Sequence, residues 1–133
     1  MNRQLFHAMQ FDDADAAIAF LTAVGFRDNG VHRDESGAVV HAQFDWRDTG
    51  GVMFGSVRRA DDPDDSDFLR TSGHAECYCV LAADDEVDAT FERAVAAGAT
   101  PVQAPTDQDY GGRSCTVRDA EGNQWSFGSY PGA

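Results

Sequence analysis

Two periodicities alternate along the chain. From Leu5 to Phe11 polarity changes with the two-residue period of a strand, with Leu5, Met9 and Phe11 on one face and Phe6, Ala8 and Gln10 on the other. The period then lengthens. Ala14, Ala17, Ile18, Leu21 and Val24 fall on one stripe of a helix that Asp13 caps and Gly25 ends. Strands are predicted near residues 26–33, 38–46 and 51–56, with Asp48-Thr-Gly-Gly51 as the last turn. The second half runs through the same order. Ala75, Cys77, Cys79 and Leu81 share one face of a strand and Glu76, Tyr78 and Val80 the other. A helix from about Asp85 follows, striped by Val87, Phe91, Ala94 and Val95 and stopped by Gly98. Pro101 opens a short strand, and two more close the chain.

Those last two strands, Ser114–Arg118 and Gln124–Gly128, flank Asp119-Ala-Glu-Gly-Asn123, a run of turn residues. With Arg118 opposite Gln124, Val117 faces Trp125 and Cys115 faces Phe127 on an apolar side. Ser114, Thr116, Gln124 and Ser126 then form a polar side of low charge, suited to line a cavity. Trp125 and Phe127 belong to the core. An offset of 73 residues superposes Gly25 on Gly98 and Phe54-Gly-Ser56 on Phe127-Gly-Ser129. The chain thus reads as two copies of a β-α-β-β-β unit, neither able to bury its face alone.

Composition narrows the picture. The 133 residues are one domain's worth of chain, and 42% of them are hydrophobic. No apolar run is long enough to span a membrane, and Met-Asn-Arg-Gln-Leu-Phe-His lacks the apolar stretch of a signal peptide, so a cytoplasmic protein is expected. The formal net charge is -13, which argues against nucleic-acid binding. Much of the excess lies in Asp61, Asp62, Asp64, Asp65 and Asp67, which read as a solvated loop; they lack the spacing and glycine turn of a calcium loop. Cys77, Cys79 and Cys115 read as small buried hydrophobes of a reducing compartment.

The repeat, with Asp13-Ala-Asp-Ala-Ala-Ile-Ala-Phe20, Ala94–Gly98 before Ala99-Thr-Pro101, and Tyr110-Gly through Asp119-Ala-Glu-Gly-Asn123, resembles the vicinal oxygen chelate superfamily. That superfamily includes the glyoxalase I, bleomycin-resistance and extradiol dioxygenase proteins. Gly122-Asn-Gln-Trp-Ser-Phe-Gly128 is most similar to its small bleomycin-resistance-like members. The resemblance implies an α+β fold in one domain of residues 1–133. Two tandem βαβββ modules, about 4–57 and 73–130, would form an open curled sheet around a cavity, joined by the acidic linker 58–72. It also implies a homodimer, which would cover open sheet edges.

Metal-dependent members take ligands from the first and last strand of each module. Carried over one at a time, those positions fall here on Phe6, Met53, His74 and Ser126. One good ligand in four does not hold a divalent ion, so no metal and no cofactor are expected. A one-residue slip of the first strand would bring His7 rather than Phe6 into the cavity and raise the count to two.

Strand parity adds His41, Gln43, Glu76, Tyr78 and Thr116 to the cavity wall. His41 and His74 read equally as hydrogen-bonded histidines at a sheet margin. Tyr110 and Arg113 either close the mouth of the site or order their loop. The expected function is metal-free binding of a small molecule, an antibiotic-like aromatic cation. The alternative is a lyase, isomerase or dioxygenase of this superfamily, metal-dependent or using Glu76 and His74 as acid and base. No nucleophile elbow supports hydrolysis.

Overall fold

The element order in the computed structural model, which describes residues 3–57 and 71–133, is the predicted one. The first unit comprises β1 (His7–Phe11), α1 (Ala14–Val24), β2 (Arg27–Arg33), β3 (Val39–Trp46) and β4 (Gly50–Ser56). The second comprises β5 (Glu76–Val80), α2 (Asp85–Ala96), β6 (Thr100–Asp107), β7 (Arg113–Arg118) and β8 (Gln124–Gly128). Each makes an open four-stranded mixed sheet, ordered β1-β4-β3-β2 and β5-β8-β7-β6. The first strand of each lies parallel to the last. The acidic run Asp61–Asp67, and the reading of it as a solvated loop, lie outside the described residues.

Helix ends follow local chemistry. The Asp13 carboxylate accepts the Ala16 N–H at 3.0 Å, capping α1. Gly25, at φ 119°, turns the chain out of the helix, and the N–H of Phe26 returns to the carbonyl of Leu21. Gly98 does the same after α2, where the N–H of Ala99 returns to Ala94. The α2 start differs. Asp84 makes no side-chain cap, and Glu86 Oε2 instead accepts the N–H groups of Ala82 and Ala83.

The hairpin register is the one alternation predicts, with Arg118 opposite Gln124, Val117 opposite Trp125 and Cys115 opposite Phe127. The apolar faces of both sheets turn toward the helices, and aromatic rings join the two units. Phe26 contacts Trp46 at 4.8 Å and Trp125 at 5.8 Å, while Trp46 contacts Phe127 at 5.8 Å. Phe20 completes this seam against Trp125 at 6.0 Å.

Four expectations need correction. Leu5 precedes β1 and is 82% exposed, because strand alternation has no sheet to act on there. Phe20, absent from the predicted stripe, is buried. In α2 the inner positions are Val87, Thr90 and Ala94, and Val95 lies on the flank. Thr90 tolerates burial because its hydroxyl oxygen accepts a hydrogen bond from Arg93 Nη2. The strand expected to be short at Pro101 extends over eight residues.

Candidate functional site

Away from the helices, each sheet presents a face that the rest of the described chain leaves open. On the second sheet Tyr78, Ser126 and Thr116 stand side by side across β5, β8 and β7. The hydroxyls of Ser126 and Thr116 lie 2.7 Å apart and satisfy each other. One step along, Gln124 Nε2 donates to Glu76 Oε1 at 3.1 Å. The Tyr78 ring lies over Gly128, where an added Cβ would come within 2.5 Å of its oxygen, so only glycine lets the ring settle there. The Tyr78 hydroxyl donates to the Tyr130 carbonyl at 2.8 Å, and the Tyr130 ring meets Tyr110 edge-on at 5.1 Å. Burial, then neighbouring Tyr110, pushes the Tyr78 phenol above its ordinary pKa, so it stays protonated as a donor.

The first sheet's open face is built differently. Ala8, Met53 and Gln43 stand across β1, β4 and β3. The Phe6 ring lies against Gly51, two residues before Met53 on the same side of β4, and a Cβ at Gly51 would meet that ring at 2.9 Å. His7 pairs with Val52 and turns to the opposite side, so Phe6 and not His7 reaches the open face. Gln43 Nε2 donates to Asp45 Oδ1 at 3.0 Å, and Asn29 Nδ2 and Arg3 bind Asp45 Oδ2 at 2.8 and 3.1 Å. His41 is exposed and stacks with His32 at a ring separation of 6.4 Å.

His74 lies just before β5 and is exposed. Pairing register equates Ala8 with Tyr78, since their partners Met53 and Ser126 are themselves related by the repeat. Phe6 therefore corresponds to Glu76, and His74 stands one same-face step farther out. Arg113 shares the helix side of β7 with Cys115 and Val117. There Asp88, then Asp107, hold its guanidinium with a raised pKa. Its charge is spent on the helix side and not on the open face.

At the positions carried over from metal-dependent members, this chain offers a phenyl ring, a thioether, a hydroxyl bonded to its neighbour and, where register equates a residue with Phe6, the Glu76 carboxylate held by Gln124, with the exposed His74 imidazole one step beyond. One carboxylate and one outlying imidazole do not make the ligand set of a divalent cation. Among the described residues no three His, Cys, Asp or Glu side chains come together as a metal site.

Sequence reasoning missed Tyr130, Gly128, Arg3 and Asn29. Tyr130 follows the repeated Phe-Gly-Ser, and an aromatic residue just beyond a strand end was the available signal. Nothing local marks Arg3 or Asn29, which reach Asp45 only through the fold.

A crevice of about 180 Å³ separates β1 and β4 from β5 and is bordered by His7, Trp46, Cys77, Tyr78 and Cys79. Burial lowers the His7 pKa, and its Nε2 is enclosed without a partner among the described residues. The Cys77 and Cys79 sulfurs lie 3.9 Å apart. Their contact lowers the Cys77 pKa and raises that of Cys79. Burial pushes the Cys115 thiol up to about 11, consistent with an inert core residue.

Solved structures place this architecture among known proteins. TioX from Micromonospora sp. ML1 is 28% identical, with 94% of this chain and 98% of that chain covered and a TM-score of 0.70. Two others share the fold. A lactoylglutathione lyase from Agrobacterium tumefaciens is 22% identical, with coverage of 94% and 92% and a TM-score of 0.65. The bleomycin resistance determinant encoded on transposon Tn5 is 18% identical, with coverage of 98% and 99% and a TM-score of 0.62. A comparison with curated proteins gives no significant match. With the family's sequence pattern matching residues 4–127, the chain belongs to the Glyoxalase/Bleomycin resistance protein/Dioxygenase superfamily.

Proposed function

We propose that this protein binds a small molecule without a metal, and that its ligand is a flat, partly aromatic compound carrying a cationic or amide nitrogen. One observation carries the reading. Tyr78, 42% exposed, shares an open face with the Glu76 carboxylate two residues away, and Tyr110, 61% exposed, stands at its margin. Tyrosine rings attract cations through their faces, and a nearby carboxylate adds charge complementarity. Phe6, Met53 and Gln43 supply apolar surface and an amide on the other open face, with His41 at its edge. The net charge of -13 adds a pull on cations, screened beyond about 8 Å at physiological salt.

Two open faces, each with exposed edge strands in β2 and β6, suit a homodimer in which paired chains enclose the ligand. Light scattering at micromolar concentration is expected to give twice the chain mass. A stable monomer that unfolds cooperatively would remove the dimer from the proposal.

The ligand class is tested by thermal shift, with intercalator-like and glycopeptide-like cations set against matched anions. Binding stabilises the fold by about 2.7 kcal/mol at a hundredfold excess over Kd. Cations are expected to give the shifts, weakened by Glu76→Gln and unchanged by Asp64→Asn. Shifts from aliphatic or anionic compounds that Glu76→Gln leaves intact would overturn the reading and favour an acid–base role for Glu76 and His74.

A further inference from the structure

The chain carries ten basic residues against twenty-three acidic ones, all ten being arginines. Arg3, Arg33 and Arg113 bind carboxylates. Among the described residues Arg27, Arg47, Arg93 and Arg118 join no ion pair, and the first three border one cavity of about 280 Å³. They come from three elements: Arg27 opens β2, Arg47 sits in the turn after β3, and Arg93 lies in α2. The cavity is on the helix side at the seam between the two units, away from the open faces described above. No ion pair joins any of the three to a carboxylate among the described residues.

Their tethers are neutral. Arg27 Nη2 donates to the Arg47 carbonyl at 2.7 Å, and Arg47 Nη1 to the Val80 carbonyl at 3.4 Å. Arg93 Nε donates to the Ala23 carbonyl at 3.1 Å and its Nη2 to Thr90 Oγ1 at 3.2 Å. A guanidinium has five N–H donors, so each arginine is oriented by one or two bonds and keeps the rest of its fork. Glu86 also borders the cavity, but its Oε2 accepts the N–H groups of Ala82 and Ala83.

The backbone adds a second observation. Arg47, at φ 50°, is the one non-glycine residue in the left-handed region among the described residues. Glycine or asparagine is the ordinary occupant of such a position. An arginine held there, with its carbonyl fixed by a second cavity arginine, is oriented at a conformational cost. Beneath the charges, Trp46 and Leu81 provide apolar wall, and Trp46 Nε1 is already bonded to the Val80 carbonyl.

Three like charges with no ion-pair partner among the described residues repel one another, and in a chain this acidic they outnumber the one carboxylate, Glu86, on the cavity's border. Planar guanidinium forks match the oxygens of a phosphate group, and the volume lies at the small end for sites that take small organic ligands. We propose that this cavity binds a small phosphorylated molecule, its phosphate held by Arg27, Arg47 and Arg93 and its apolar portion against Trp46 and Leu81. The proposal is independent of the ligand assigned to the open faces.

The test titrates phenyl phosphate, pyrophosphate and inorganic phosphate at low salt. Thermal shift and Trp46 fluorescence are followed against sodium chloride at matched ionic strength. Saturable responses are expected, phenyl phosphate binding tighter than inorganic phosphate. Arg27→Gln should weaken binding about tenfold, as expected for loss of a charge-assisted hydrogen bond. Arg47→Gly removes a guanidinium while suiting the left-handed backbone, so it tests the charge without straining the fold, and it should weaken binding similarly. A cationic aromatic should not compete with phenyl phosphate. Responses no larger than those to chloride would overturn the proposal. So would variants that lower the melting temperature yet leave the phosphate-induced shift intact, since that is the behaviour of purely structural arginines.

Discussion

The two units share topology and strand register but place their buried carboxylates in different parts of the hairpin. In the second unit the carboxylate is Asp119, in the β7–β8 turn. Its Oδ1 accepts the N–H groups of Glu121 and Asn123, and its Oδ2 accepts Trp125 Nε1 at 2.9 Å. Asn123 then ties the turn to the start of β5 by accepting the N–H groups of Gly73 and Ala75. In the first unit it is Asp45, on the open face of β3, held by Arg3, Asn29 and Gln43. One carboxylate locks a turn to the core, and the other sits on an open face of the kind proposed above to take a ligand. A repeated backbone thus fixes which positions meet, while side chains decide whether a meeting is spent on stability or left available.

The largest test of this contrast replaces each carboxylate by alanine and measures urea unfolding. Asp119→Ala strands the fully buried Trp125 N–H and the backbone of a buried turn, and should cost about 3 kcal/mol or more. Asp45→Ala should cost roughly 1–2 kcal/mol. Arg3 keeps its bond to the Gly50 carbonyl, and the part-buried amides of Asn29 and Gln43 can turn to water. An Asp45 variant as damaging as the Asp119 variant would erase the distinction between locked turn and open face.

How far the sequence discloses these features depends on their range. The β7–β8 register was legible because a period of two and a polar turn leave one pairing that buries Cys115, Val117, Trp125 and Phe127 together. Parity likewise told which side of a strand Gln43 and Tyr78 occupy, whereas Met53 came from the repeat and the choice between Phe6 and His7 is fixed only by the register with β4. It could not tell which polar groups spend their bonds on each other, such as Gln43 on Asp45 or Thr116 on Ser126. Contacts made only by tertiary packing left no local trace. The Glu121 carboxylate accepts the N–H groups of Asp12 and Asp13, more than a hundred residues away, and also binds the Ser72 hydroxyl. Arg27, Arg47 and Arg93 lie in three elements with no shared motif, so their cavity is a product of the fold. Leu5 shows the reverse case, an apolar residue with no sheet to bury it.

The smallest effect expected comes from the crevice between the units, where pairing register makes His7 and Cys77 equivalent positions. Both border the same space, with Cys79 and Tyr78 as the other titratable neighbours. His7 is held below its usual pKa by burial, so the folded chain prefers it neutral. Above pH 6.5 the imidazole is neutral in both states and carries no penalty. As pH falls below that value the unfolded chain takes up the proton first and stability drops. His7→Leu removes the titrating group and its unpartnered nitrogen while keeping an apolar filling for the crevice. The variant's melting temperature should therefore exceed that of the native chain by more at pH 5 than at pH 8. Because the comparison is between chains at each pH, the other histidines and the many carboxylates cancel. A difference that does not change with pH would mean that His7 reaches water in the folded state, and that the two equivalent positions do not share an enclosed space.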